Sequence, residues 1–169
     1  MALWPFGTLS TLAPWHPGTL APYNVLSMAG FRYTRRVLFY ETDLAGVVHF
    51  SNYFRYMEEA EHALWRASGL QIDRAGSEIG WPRVSATFDY RKPLFYEDEV
   101  MILVRVEAAT RRTIQYSFTM TRDAVQIGAG SLTTACVIRE QAAMRAVDLP
   151  ADVVPRLRAA AGQTTEVRD

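Results

Sequence analysis

The sequence predicts an α+β domain, a curved antiparallel sheet of about five strands around one long central helix. Three observations lead there. Only the segment from Asn52 to Ser68 carries apolar residues at helical spacing over about four turns. Elsewhere, short runs alternate apolar and polar residues with a period of two, and turn-prone stretches join them. With 169 residues, 49% of them hydrophobic, the chain has enough material for one core and too little for two. A lone sheet has one apolar face to cover, and one helix can cover it.

The elements follow in order. From Met1 to Phe31 there is no Asp, Glu, Lys or Arg, and four of the eight prolines (Pro5, Pro14, Pro17, Pro22) fall there. Prolines so closely spaced remove backbone donors and break every apolar run that a secretory signal would need. Residues 1–30 are therefore expected to be a flexible tail, or an upstream extension of a chain that properly begins at Met28. Residues 31–160 form the domain and 161–169 a short C-terminal tail. In the run Tyr33 to Tyr40, alternation sets Tyr33, Arg35, Val37 and Phe39 against Thr34, Arg36, Leu38 and Tyr40, as in a strand. The helix comes next, with Asn52 as N-cap and Gly69 as its stop. Phe54, Met57, Glu61, Leu64, Trp65 and Ser68 share one side of it, flanked by Tyr53, Ala60 and Ala67.

The strands after it read Val84-x-Ala86-x-Phe88-x-Tyr90, then Val100 to Val106, then Ile114 to Met120, then Gln126 to Glu140. Lys92-Pro93, Ala108 to Arg112 and Asp123-Ala124 supply the turns. Gly128 and Gly130 mark a bulge or a close backbone approach. Cys136 alternates onto the core side of the last run, as a packing residue. Ala151 to Ala161 is a second, shorter helix, with Pro155 near its first turn.

Charge and composition exclude several classes of function. Eighteen basic residues balance eighteen acidic ones, so the basic excess of a nucleic-acid binder is missing. No stretch of about 18 apolar residues exists to span a membrane. A single cysteine excludes a disulfide framework within the chain. His16, His49 and His62 do not pair with carboxylates at helical metal-ligand spacing, so no metal and no cofactor are expected. Among the basic residues only Lys92 is a lysine, which leaves many flat guanidinium groups able to hold anions.

The richest segment is Asp43-Leu-Ala-Gly46-Val-Val-His49-Phe50-Ser-Asn52-Tyr53, between a strand and the start of the central helix. A helix N-terminus presents unpaired N–H groups that can polarise a carbonyl and hold an oxyanion. A carboxylate beside it can attack that carbonyl or activate a water. The alternative is that Asp43 only builds a turn.

This segment closely resembles the signature of the 4-hydroxybenzoyl-CoA thioesterase family of hotdog-fold proteins, in which Asp, Gly three residues on, an apolar pair and Asn-Tyr open the central helix. The resemblance covers roughly Arg32 to Leu157, including the closing run Arg145-Ala-Val-Asp-Leu-Pro150. It implies a hotdog fold and hydrolysis of an acyl-CoA thioester to free acid and coenzyme A. It assigns the catalytic aspartate to Asp43, acting as nucleophile or as a base for water. The oxyanion donor falls on the backbone N–H of Phe50, whose side chain departs from the Tyr or His of many relatives. His49 is a possible stand-in for that missing group, or a histidine lining the pocket. Gly46 supplies a turn, and Asn52 is assigned to the cap and to the substrate-binding side of the loop.

A second branch of these enzymes carries its carboxylate on the helix, near Glu58; here Glu58 is expected to line the acyl end of the pocket or to pair with Arg55 or His62. Arg111, Arg112 and Arg145 match basic positions that contact the coenzyme A phosphates in the family. Trp65, Phe88, Tyr90 and Phe118 are expected to set pocket depth. The resemblance further implies a cytoplasmic homodimer or homotetramer, with the site at the subunit interface. Two other functions stay open: a thioesterase acting on an acyl-carrier protein, and a hotdog protein that binds acyl-CoA without hydrolysing it.

Overall fold

A computed structural model of the chain describes residues 28–72, 78–140 and 143–163. Most of the uncharged N-terminal segment (residues 1–27) and the end of the C-terminal one (residues 164–169) lie outside the described residues. Strand β1 (Phe31–Arg36) leads through a loop to helix α1 (Asn52–Ala67). Then follow β2 (Ile79–Gly80), β3 (Arg83–Tyr90), β4 (Glu99–Ala109), β5 (Thr113–Arg122), β6 (Val125–Ala135), β7 (Val137–Glu140), β8 (Ala143–Ala146) and helix α2 (Val153–Ala160). Five strands make one antiparallel sheet in the order β1-β4-β5-β6-β3, the hotdog arrangement expected from the sequence.

Period-two alternation accounts for the sheet's inner face. Val100, Ile102, Val104 and Val106 of β4, with Ile114, Tyr116, Phe118 and Met120 of β5, are all buried. Against them α1 sets Tyr53, Tyr56, Met57, Ala60, Leu64 and Trp65. Each large apolar side chain so buried stabilises the fold by roughly 1.5–3 kcal/mol. The glycine of β6 at position 130 marks the close approach: a Cβ there would lie 2.6 Å from both Met57 Sδ and the Thr87 carbonyl oxygen. Asp123 and Ala124 both take positive φ, 50° and 62°, as a tight two-residue hairpin turn requires.

Four local expectations change. The first strand stops at Arg36 instead of running to Tyr40, because Glu41 turns inward and its carboxylate accepts the Leu38 N–H at 2.7 Å. Phe39 and Tyr40 are thereby left exposed. Asn52 is not the N-cap: it is the first helical residue, and its Nδ2 donates to the Glu41 carbonyl at 2.7 Å, while Ser51 occupies the cap position. Tyr56 takes a buried place on α1, and Phe54 is only half-buried. The run from Gln126 to Glu140 divides at Cys136, whose N–H donates to the Arg112 carbonyl at 2.8 Å. The chain then leaves the main sheet, and β7 pairs with β2 and β8 in a second, three-stranded sheet. Cys136 itself is buried, which pushes its thiol pKa up.

The register sets two ends of the molecule apart. Arg36 pairs with Glu99 at the start of β4, so the loop after β1 lies at that end. Tyr90, the end of β3, lies there too, through its pairing with Gly128 and Gly128's with Met120. Ala109 pairs with Ile114 at the other end of β4, where Arg83 pairs with Thr134. Eleven residues of β4 separate the two ends, roughly 35 Å of strand.

Candidate active site

The loop between β1 and α1 is a miniature hairpin. Thr42 pairs with Val48, the Asp43 N–H donates to the Val47 carbonyl at 2.9 Å, and the Gly46 N–H returns to the Asp43 carbonyl at 2.9 Å. Gly46 closes the turn with a φ of +75°. A Cβ at Gly46 would meet nothing within 4 Å, so backbone conformation, and not lack of space, selects glycine there. At the tip Asp43 is exposed, and its Oδ1 accepts the Ala45 N–H at 2.8 Å. That bond aims the carboxylate and leaves its second oxygen without a partner among the described residues.

Beneath the tip a buried polar knot holds the hairpin to the domain. Glu41 accepts from Arg35 Nη2 at 2.6 Å and from the Tyr56 hydroxyl at 2.9 Å. The Arg35 guanidinium also reaches Glu59 at 2.9 Å and lies 3.9 Å over the Tyr56 ring. Burial, together with the Glu41 carboxylate that accepts its proton, holds the Tyr56 phenol far above its ordinary range. The His49 N–H donates to the Glu41 carbonyl at 2.9 Å, so one residue anchors both strands of the hairpin and, through Asn52, the helix.

The helix N-terminus is left bare. Ser51 makes no side-chain cap, and no acidic residue stands in the first turn of α1. The Ser51 hydroxyl instead lies 2.8 Å from His49 Nδ1. The Phe50 N–H donates to no described group, so the positive end of the helix keeps an unmet donor. Beside it is a cleft of about 290 Å³ lined by Val47, Val48, Phe50, Tyr53, Tyr90, Arg91, Lys92 and Pro93. The Tyr90 hydroxyl donates to the Phe50 carbonyl at 3.0 Å, and its ring packs edge-on to Tyr53.

The structure gathers some of the sequence candidates and separates others. Asp43, Gly46, Phe50 and Asn52 fall on one hairpin and its helix start, and of these Phe50 alone lines the cleft. His49 is there too but exposed, its ring 4.4 Å from that of Phe50, and it does not line the cleft. Glu58 does not line it either; it pairs with Arg83 at 3.1 Å, and His62 Nε2 lies 4.0 Å from its carboxylate. Arg111 and Arg112 sit at the opposite end of the sheet, where both reach Asp148, at 2.9 and 3.4 Å. Arg145 lies on β8, exposed and in register with Ile138. Of the pocket-depth residues, Tyr90 lines the cleft, Phe88 packs on Tyr53, and Trp65 and Phe118 are buried in the core.

Sequence reasoning missed Arg91 as a cleft residue and read Lys92 only as part of a turn. It also passed over the knot at Glu41 and the buried pair of Glu61 with Arg83 at 2.8 Å. A charged residue inside an apolar stripe was the available signal for Glu61, and a carboxylate beside the loop for Glu41. The basic partner of Glu61, Arg83, lies 22 residues away, whereas that of Glu41, Arg35, stands six residues before it. Among the described residues no group of three or more His, Cys, Asp or Glu is placed to hold a metal ion. No helix among them is long and apolar enough to cross a membrane.

A five-stranded antiparallel sheet packed on one long helix is the hotdog fold of thioester hydrolases. The chain belongs to the thioesterase-like superfamily, whose family model matches residues 37–157. It is 34% identical over 131 residues to a putative esterase of Aquifex aeolicus, covering 76% of this chain and 98% of that protein. Over 74 residues it is 39% identical to a 1,4-dihydroxy-2-naphthoyl-CoA hydrolase of Trichodesmium erythraeum, covering 43% of this chain and 54% of that one. Its fold matches the crystal structure of a 4-hydroxybenzoyl CoA thioesterase mutant complexed with 4-hydroxybenzoyl CoA, with a TM-score of 0.70 at 18% identity, covering 77% of this chain and 99% of that one.

Proposed function

We propose that the protein hydrolyses an acyl-CoA thioester, aryl or aliphatic, to the free acid and coenzyme A, with Asp43 as the catalytic carboxylate. The observation that carries this reading is the pairing, on one short hairpin, of an aimed and exposed Asp43 with the unmet N–H of Phe50 at the start of α1. In the base route, Asp43 takes a proton from water and the hydroxide adds to the thioester carbonyl. The oxyanion forms against the Phe50 N–H, then collapses and expels the thiolate, which takes up a proton. In the nucleophile route the carboxylate adds to the thioester carbonyl, the C–S bond breaks to release the thiolate, which takes up a proton, and water cleaves the resulting mixed anhydride to the free acid and the Asp43 carboxylate. Label found in the Asp43 carboxylate after a single turnover in 18O-labelled water would establish the second route, with water attacking the Asp43 side of the anhydride; hydroxylamine trapping of the anhydride as an Asp43 hydroxamate tests the case in which water attacks the acyl side.

The aromatic lining of the cleft by Phe50, Tyr53 and Tyr90 favours a flat acyl group over a bulky one. The enzyme acts in the cytoplasm as a homodimer or homotetramer. The free edge of β3 supports this: its other side pairs with β6, while Val84, Ala86 and Tyr90 stay exposed along it. Antiparallel pairing of two such edges sets the Tyr90 end of one chain beside the Arg83 end of a second copy. Arg111, Arg112 and Arg145 then serve the cleft of that second copy and not their own.

The test is thiol release from a panel of aryl-, short-chain and long-chain acyl-CoA. Turnover of at least one class is expected. Binding of acyl-CoA without thiol release would favour the non-hydrolytic alternative, and turnover only of acyl groups on a carrier protein would favour the carrier-protein thioesterase.

A further inference from the structure

The cleft beside Phe50 has only two charged residues in its lining, Arg91 and Lys92, and both are cationic. Both backbone N–H groups donate to the Ile127 carbonyl, at 2.9 and 3.0 Å, which fixes the turn on the end of β6. Just beyond it, the Leu94 carbonyl accepts the Val48 N–H at 2.8 Å, and Phe95 bridges to Val47. The cationic turn is therefore stapled to the hairpin that carries Asp43. The Arg91 guanidinium donates to Gln126 Oε1 at 3.1 Å, a neutral partner that orients it and leaves its charge uncompensated. Lys92 has no ion pair among the described residues. Arg111 and Arg112, by contrast, share the carboxylate of Asp148 at the far end of the sheet.

We infer that Arg91 and Lys92 form an anion subsite at the mouth of the cleft and hold a charged group of the thioester substrate. This rests on the proposed thioesterase activity. Coenzyme A and a protein-borne pantetheine both carry phosphate, so every substrate that activity allows brings an anion. A carboxylate on the acyl group is a second source of the same chemistry. Two adjacent cations, one forked and one a point charge, suit either oxyanion.

The experiment uses the full chain carrying Arg91→Gln and Lys92→Gln together, with three substrates. These are an acyl-CoA, the same neutral acyl group on phosphate-free N-acetylcysteamine, and a carboxylated acyl group on N-acetylcysteamine. The subsite predicts that KM rises about ten-fold or more for acyl-CoA if it holds phosphate, or for the carboxylated phosphate-free thioester if it holds an acyl carboxylate, while KM for the neutral phosphate-free thioester does not move. A rise for the carboxylated phosphate-free thioester alone assigns the anion to the acyl group, a rise for acyl-CoA alone assigns it to phosphate, and a rise for both shows a site that takes either oxyanion. The charge-preserving variant, Arg91→Lys with Lys92→Arg, restores KM to within about three-fold of wild type. An unchanged KM for every charged substrate, or an equal rise for the neutral one, overturns the subsite.

If the wild-type protein releases no thiol from any substrate, the thioesterase reading fails, and calorimetric binding of free coenzyme A decides the subsite instead. Binding about ten-fold weaker in the double glutamine variant supports it. Equal affinity, or no binding to the wild type, overturns it.

Discussion

Glu61 shows how one residue departs from what its neighbours in sequence suggest. It stands in the middle of the apolar stripe of α1, 1% exposed, with Arg83 at 2.8 Å as its partner. Burial outweighs the attraction of Arg83 and holds its carboxyl above the ordinary glutamate range. His62 is pushed the other way, chiefly by burial and then by Arg83. Arg83 has only donors, so His62 Nε2, 2.8 Å from its Nη2, must be the unprotonated nitrogen. A carboxyl with a raised folded pKa contributes stability at low pH and loses it as pH climbs through that pKa. Glu61→Gln removes this loss. The melting temperature of the variant is therefore expected to gain on wild type as pH rises above the ordinary glutamate range, when thermal unfolding is followed in matched buffers. A gap independent of pH would contradict that sign. Asp43 and Gly46 were legible because the turn that joins them is local. Glu61 with Arg83 was not, since the two, 22 residues apart, meet only once β3 and α1 have packed; Glu41 with Arg35, six residues apart, was hidden because an alternating run to Tyr40 gives no sign that the chain turns inward after Arg36.

At the scale of the element, the hairpin before α1 is the part that positions the chemistry. Its turn depends on the φ of +75° at Gly46. Gly46→Ala forces a side chain into the left-handed region at a cost of about 1 kcal/mol, and melting is expected to fall by roughly 3–5 °C. Because Gly46 N–H also holds the Asp43 carbonyl, the same variant should lose turnover without losing secondary structure, as circular dichroism beside a thiol-release assay would show. The knot under the hairpin is a stronger constraint. Glu41→Ala leaves Arg35 buried with only the half-exposed Glu59, and removing one partner of a buried pair costs about 3 kcal/mol or more. Urea unfolding measures that directly. The period-two runs of β4 and β5 and the helical spacing of α1 made those elements legible. The early stop of β1 and the departure of the chain at Cys136 were not, because the first depends on the Glu41 carboxylate turning inward onto the Leu38 N–H and the second on a long-range hydrogen bond to Arg112.

For the whole molecule, the two ends of the sheet matter most. Arg111 and Arg112 match the family's phosphate-binding positions by sequence, yet about a strand's length separates them from Asp43 within one chain. In the proposed dimer, a second copy paired edge to edge at β3 brings such arginines to the cleft. Ala86→Arg on that edge is expected to shift the protein from dimer to monomer in light scattering, and to cut turnover with it. Removal of residues 1–27 should leave both oligomer size and turnover as they are. The central claim is that Asp43 is the catalytic carboxylate, and kcat/KM of Asp43→Asn tests it most directly. Asn retains an oxygen to accept the Ala45 N–H, so the hairpin survives while the charge is lost. Thiol release from the best acyl-CoA is expected to fall on the order of 10² or more, with melting unchanged. A rate within a few-fold of wild type would contradict it.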